Sequence, residues 1–372
     1  MQVPFGDLKR RYAALKPAID AATARVLASG WYILGPEVRA FEAAFASYIG
    51  VAHAIGVANG TEAISLVLAA HGIGAGDDVI CVANAAMYEA LAVVGLGARP
   101  VFVDIDVQTM NMDPALIEAA ITPRTRAIVP VHLYGRMAAM EPILAIGARH
   151  GVPVIEDCAQ AHGATYYGRN AGSIGVAGCF SFYPTKNLGG FGDGGALVTD
   201  NAELAAKVRR LRTYGWERKY DTVDRGGLNS RLDELQAAIL AVMLPHLPAQ
   251  NARRAAIAAQ YDAGLHDVPG LTLLAAPDDG DHAYHLYVVR HTQRIALQTA
   301  LQERGIGTDV HYPYPAHMQA AYAEFAPTAG LPVTERAAGE VLSLPMYPEL
   351  TDDEVALVVT AVRDACVGLA NL

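Results

Sequence analysis

Three stretches of the chain bring together side chains that could do chemistry, and each follows the end of an apolar run. The first is Asn59-Gly60-Thr61-Glu62, where a glycine that permits close backbone approach stands beside a threonine hydroxyl at the opening of a helix. Free N–H groups at such an opening favour phosphate, although an ordinary helix cap explains the same residues. The second, Glu156-Asp157-Cys158-Ala159-Gln160, ends a strand in a carboxylate, and one helical turn would aim Gln160 at the same point as Asp157. In the third, Lys186 lies between the apolar run around Phe180 and Phe182 and a loop holding five glycines from Gly189 to Gly195. Most lysines are solvated, but a lysine framed by apolar strands is desolvated, and its depressed pKa suits Schiff-base chemistry.

One cofactor needs all three. Pyridoxal phosphate requires a lysine for its aldehyde, a carboxylate to keep its pyridinium nitrogen protonated and donors for its phosphate. Lys186 and Asp157 are the expected catalytic pair, and Gln160 would hydrogen-bond the ring's phenolic oxygen.

These residues meet only if the chain gathers its strand ends on one edge. Seven short β-rich runs, at 53–58, 78–82, 100–104, 126–131, 153–156, 179–183 and 196–199, alternate with helical stretches at 61–71, 113–121, 138–150 and 202–211. Several runs are apolar throughout, as strands covered on both faces are. The alternation predicts an α/β fold, a mostly parallel seven-stranded sheet flanked by helices, whose carboxyl ends collect ligands. A helical arm precedes it, with Pro36 opening a helix that ends at Gly50. After an apolar helix at 231–244 the composition shifts, so residues 1–245 are expected as arm plus large domain and 246–372 as a smaller α+β domain.

Composition narrows the classes further. The net charge of −10 argues against nucleic acid or an anionic membrane as partner. No apolar run approaches the ~18 residues that span a bilayer, and the charged N-terminal residues do not read as a signal peptide. Cys81, Cys158, Cys179 and Cys366 form no C-x-x-C pair, so reduced thiols in the cytoplasm are expected, with neither disulfides nor a metal site.

Ordered blocks along nearly the whole chain carry a resemblance. They are GWYILGPEVRAFEAAFASYIG, VANGTEAISLVLAAHGIGAGDDVI, GARPVFVDID with PVHLYG, VIEDCAQAHGA, FSFYPTKNLGGFGDGG, LNSRLDELQAAIL, GTDVHYPYPAH and SLPMYP. The chain resembles the nucleotide-sugar aminotransferases, the DegT-type branch of fold type I pyridoxal phosphate enzymes. That resemblance implies Lys186 as the Schiff-base lysine, Asp157 as the pyridinium partner, Gln160 at the phenolic oxygen, and Gly60, Thr61 and Ser181 around the phosphate. Asn229 matches the residue that reaches the phosphate from a neighbouring subunit, which implies a homodimer with shared sites. Many members stack an aromatic ring on the cofactor from an Asn-Thr-Phe block. Here Ala86 takes that place, and Tyr88 is expected to cover the ring instead.

Tyr183, His311 and Tyr312 match substrate positions in relatives that aminate C3 of dTDP-linked 3-keto-6-deoxy sugars. Among the six basic residues of 207–220, Arg212 and Lys219 flank the Tyr214-Gly215-Trp216 turn and are the expected diphosphate ligands. The implied reaction moves nitrogen from L-glutamate to the keto sugar in two half-reactions. An intact Lys186 favours it over the dehydratases in which a histidine replaces the lysine. A lysine-keeping lyase, a 4-keto sugar or keto-cyclitol aminotransferase and a non-catalytic cofactor-binding regulator stay open.

Overall fold

The computed structural model describes residues 2–370; Met1, Asn371 and Leu372, at the outer ends of the two expected domains, lie outside the described residues. Helix α1 (Leu8–Ser29) is capped by Asp7, whose carboxylate accepts from the N–H groups of Lys9 and Arg10. Helix α2 (Pro36–Ile49) starts with proline at its first position, where a missing N–H costs nothing. The sheet strands follow as β1 (His53–Val57), β2 (Asp78–Val82), β3 (Arg99–Val103), β4 (Thr125–Ile128), β5 (Ile155–Asp157), β6 (Ala177–Ser181) and β7 (Gly195–Thr199). Between and after them run α3 (Gly60–Ala70), α4 (Tyr88–Gly95), α5 (Pro114–Ala120), α6 (Met140–His150) and α7 (Ala202–Leu211). No helix was expected at α4, whose eight residues are too few to display a clear 3.6-residue period.

Strands β1-β7-β6-β5 and β4-β2-β3 form two hydrogen-bonded blocks. Parallel bridges from Ile128 to Val154 and from Val131 to Asp157 join them. The result is the expected seven-stranded, mostly parallel sheet, with β7 alone antiparallel to both its neighbours. Both faces are covered. On one, Phe41 and Phe45 of α2 meet Phe180 and Phe182 edge-on at 5.0–5.4 Å between centroids. On the other, Leu66 and Leu68 of α3 and Val208 of α7 pack on Ile55 and Leu197.

The chain continues through the hairpin β8 (Trp216–Arg218) and β9 (Asp221–Thr222) into α8 (Glu234–Met243) and α9 (Leu247–Leu265). A three-stranded antiparallel sheet follows, β10 (Leu271–Leu273), β11 (Tyr287–His291) and β12 (Val341–Leu344), packed with α10 (Arg294–Glu303) and α12 (Asp352–Ala370) around a second core. The two cores are stitched together. Leu247 at the start of α9 belongs to the first and Ile257 and Leu265 to the second, while Val3 pairs with Ile306 and joins the second. Ala316, Tyr322 and Leu331, the last just before α11 (Pro332–Glu340), pack back on Cys81, Ala83 and Phe102 of the large sheet. Among the described residues no helix is long and apolar enough to cross a membrane, and all four cysteines are free and buried.

Candidate active site

The carboxyl ends of β1, β5 and β6 reach one edge of the sheet, and a cavity of about 770 Å3 opens there. Lys186, Asp157, Gly60, Thr61 and Ser181 line it, together with Tyr88. So do Tyr183, His311 and Tyr312, the residues expected on the substrate side.

Each is placed by its local turn. Asn59 caps α3 by accepting the Glu62 N–H at 2.9 Å, so the N–H groups of Gly60 and Thr61 find no protein acceptor among the described residues. A Cβ on residue 60 would lie 2.8 Å from the Ser181 Cβ, so glycine is what lets the start of α3 close against the end of β6. Two free N–H groups at a positive helix end, with hydroxyls from Thr61 and Ser181 beside them, make a fitting phosphate cradle. Asp157 is 4 % exposed and accepts the Ala159 N–H at 2.9 Å, which leaves carboxylate oxygen for a ring nitrogen. Lys186 is half-buried in the turn after β6, its N–H donating to the Tyr183 carbonyl at 2.8 Å. Burial lowers its pKa to about 8, against the opposing pull of the nearby Asp157 carboxylate. Donor set, cradle and lysine together fit pyridoxal phosphate.

Several expected residues lie outside the lining of this cavity. Arg212, expected at the diphosphate, is corrected by the structure: it is 8 % exposed and its guanidinium binds Glu42 Oε1 at 2.5 Å and the Gly56 carbonyl at 2.8 Å. It lines no part of the cavity, because pinning α2 to β1 uses its charge internally. Gln160 stands behind the cavity wall, accepting from the Tyr134 N–H at 2.7 Å and donating to the Tyr312 hydroxyl at 2.9 Å. Lys219 lies in the β8–β9 turn with its ammonium 5.0 Å from the Tyr220 ring centroid, and Asn229 is exposed; neither lines the cavity of its own chain. Ala86 adopts a left-handed φ of 65°, and the chain then presents Tyr88, 47 % exposed, to the cavity.

The cavity also recruits residues that no motif singled out. His285, just before β11, lines it with its Nδ1 3.2 Å from Asn187 Oδ1, and burial holds its pKa well below the usual value. Because Asn187 uses its own amide N–H groups on Asn251 and the Ala283 carbonyl, the His285 Nδ1 carries the proton in this contact. Glu89, one residue beyond Tyr88, is fully buried beside Asp157.

The match to known proteins is broad. The DegT/DnrJ/EryC1/StrS aminotransferase family is matched over residues 14–363. The dTDP-3-amino-3,4,6-trideoxy-alpha-D-glucose transaminase of Streptomyces venezuelae is 49% identical over 98% of this chain and 96% of its own. Among solved structures, S. venezuelae DesV in complex with ketimine intermediate superposes with a TM-score of 0.95, at 48% identity over 98% of both chains. NtdA from Bacillus subtilis with bound cofactor PMP gives 0.93 at 34% identity, over 98% of this chain and 85% of its own. The chain belongs to the DegT/DnrJ/EryC1/StrS aminotransferase family and is a pyridoxal phosphate-dependent aminotransferase.

Proposed function

We propose that the enzyme transfers the amino group of L-glutamate to a dTDP-linked 3-keto-6-deoxyhexose, using Lys186 as the cofactor lysine and Asp157 as the partner of the ring nitrogen. One observation carries this: a desolvated lysine, a buried carboxylate and a phosphate-ready helix start share one cavity. The dTDP sugar is favoured by the transaminase 49% identical to this chain. When bound, the cofactor supplies an aldehyde that carries nitrogen and a ring that takes up electrons released at the donor's α-carbon. Lys186 moves the proton at that carbon, since its amine has a pKa of about 8 and is half neutral near that pH. Asp157 holds a proton on the ring nitrogen, the α3 start and Ser181 anchor the phosphate, and Tyr88 covers the ring. Tyr183, His311 and Tyr312 receive the sugar.

A cytoplasmic homodimer completes the proposal. What supports the dimer is exposed apolar surface at Trp31, Ile33, Tyr220 and Leu228, which a second copy would cover. Asn229 and Lys219, idle in their own chain, would then serve the partner's phosphate and diphosphate. Incubation with L-glutamate and a panel of dTDP- and UDP-linked 3-keto and 4-keto sugars, read by mass spectrometry, should yield 2-oxoglutarate and a dTDP-3-amino sugar. Amination of UDP-linked or 4-keto acceptors alone would reject the substrate class, and a product lacking a hydroxyl without 2-oxoglutarate would favour a lyase.

The free amine also sets a pH dependence. Capture of cofactor by the apoenzyme requires neutral Lys186, so its rate should rise about tenfold per pH unit and level off above about pH 8. Growth of visible absorption after adding pyridoxal phosphate measures it, and a rate that falls with rising pH would contradict the assignment.

A further inference from the structure

Glu89 is a carboxyl group at the site that the roles above leave unused. It lies in the first turn of α4, directly after Tyr88, and is 1 % exposed. Among the described residues no cation pairs with it within 4 Å, and the N–H that approaches its carboxyl is its own. Its hydrogen-bonding neighbour is the carboxyl of Asp157. Two carboxyls in contact and out of water cannot both be ionised, so this pair holds a proton. The surroundings decide which oxygen carries it. Asp157 accepts the Ala159 N–H and opens into the cavity that holds Lys186. Glu89 lines no part of that cavity and meets only its own N–H, and burial together with the Asp157 charge pushes its carboxyl well above the usual range.

We propose that Glu89 is a proton-bearing positioning residue whose O–H donates to Asp157 and fixes that carboxylate toward the cofactor's ring nitrogen. The proposal rests on the assignment of Asp157 to that nitrogen. A neutral Glu89 adds no second negative charge beneath the ring, and its donated hydrogen bond holds one Asp157 oxygen so that the other faces the cavity. An amide in the same place could also donate, whereas a hydrocarbon could not.

The test compares the holoenzyme with its Glu89→Gln and Glu89→Leu forms. Infrared difference spectra of wild type and Glu89→Gln apoenzyme should contain the C=O stretch of one protonated buried carboxylic acid that the glutamine variant lacks. In the single-turnover reaction with L-glutamate, Glu89→Gln should retain the rate within about threefold, while Glu89→Leu should lose about tenfold to a hundredfold, with half-saturating glutamate little changed, as for other groups that orient a site. Pyridoxal phosphate affinity, read by visible titration, should follow the same order. No acid band, full activity in Glu89→Leu, or equal damage in both variants would overturn the proposal. If Glu89→Leu fails to fold, the infrared band and the glutamine rescue still decide it. A wild-type chain that shows the acid band but never develops visible absorption with cofactor would refute the Lys186 assignment, a separate failure.

Discussion

Replacing Lys186 by alanine is expected to abolish turnover and, with it, the visible absorption that the cofactor gains on binding the enzyme. Lys186 is the only lysine lining the cavity among the described residues, and its amine is both the attachment point and the group that moves the proton. Proton transfer by a positioned side chain alone is worth about 10²–10⁴ in rate, and loss of attachment adds to it, so single-turnover rates should fall by at least about 10⁴. Lys186→Arg should be equally inactive, because a guanidinium keeps its proton. The fold should survive in the alanine form, since burial already disfavours the charged amine and Asp157 keeps its hydrogen bond from the Ala159 N–H and its opening into the cavity. Turnover within about tenfold of wild type would contradict the assignment.

The next largest loss is expected from Asp157→Asn. Asparagine matches the shape and still accepts the Ala159 N–H, but it cannot balance a protonated ring nitrogen. Losing a preorganised charge in a water-poor site costs about 10²–10³ in kcat. Binding should suffer less, because the phosphate cradle at Gly60, Thr61 and Ser181 is untouched. A kcat fall of that size with cofactor affinity within about tenfold is the expected split; unchanged kcat would remove Asp157 from the chemistry.

Much of this arrangement is legible in the sequence because a parallel sheet puts its ligand chemistry at strand ends. The three stretches at residues 59–62, 156–160 and 180–195 each end a strand, and their side chains converge on one cavity. What stays illegible depends on partners far away in the chain. Arg212 looks like any basic residue of a basic segment until Glu42, 170 residues earlier, is seen to hold it. The carboxyl of Glu89 sits in an otherwise apolar stretch, YEALAVVG, and only the fold brings it to Asp157. His285 belongs to no motif, and its link to Asn187 spans 98 residues. The antiparallel direction of β7 is also silent, since an apolar five-residue strand looks alike in both senses. Gln160 was visible as a polar residue near the site, yet its amide serves Tyr134 and Tyr312.

The central claim is that Lys186 carries the cofactor, and covalent trapping tests it most directly. Borohydride reduction of the holoenzyme, followed by peptide mass spectrometry, should place a single phosphopyridoxyl group on Lys186. A label on another lysine, or none despite bound cofactor, would contradict it.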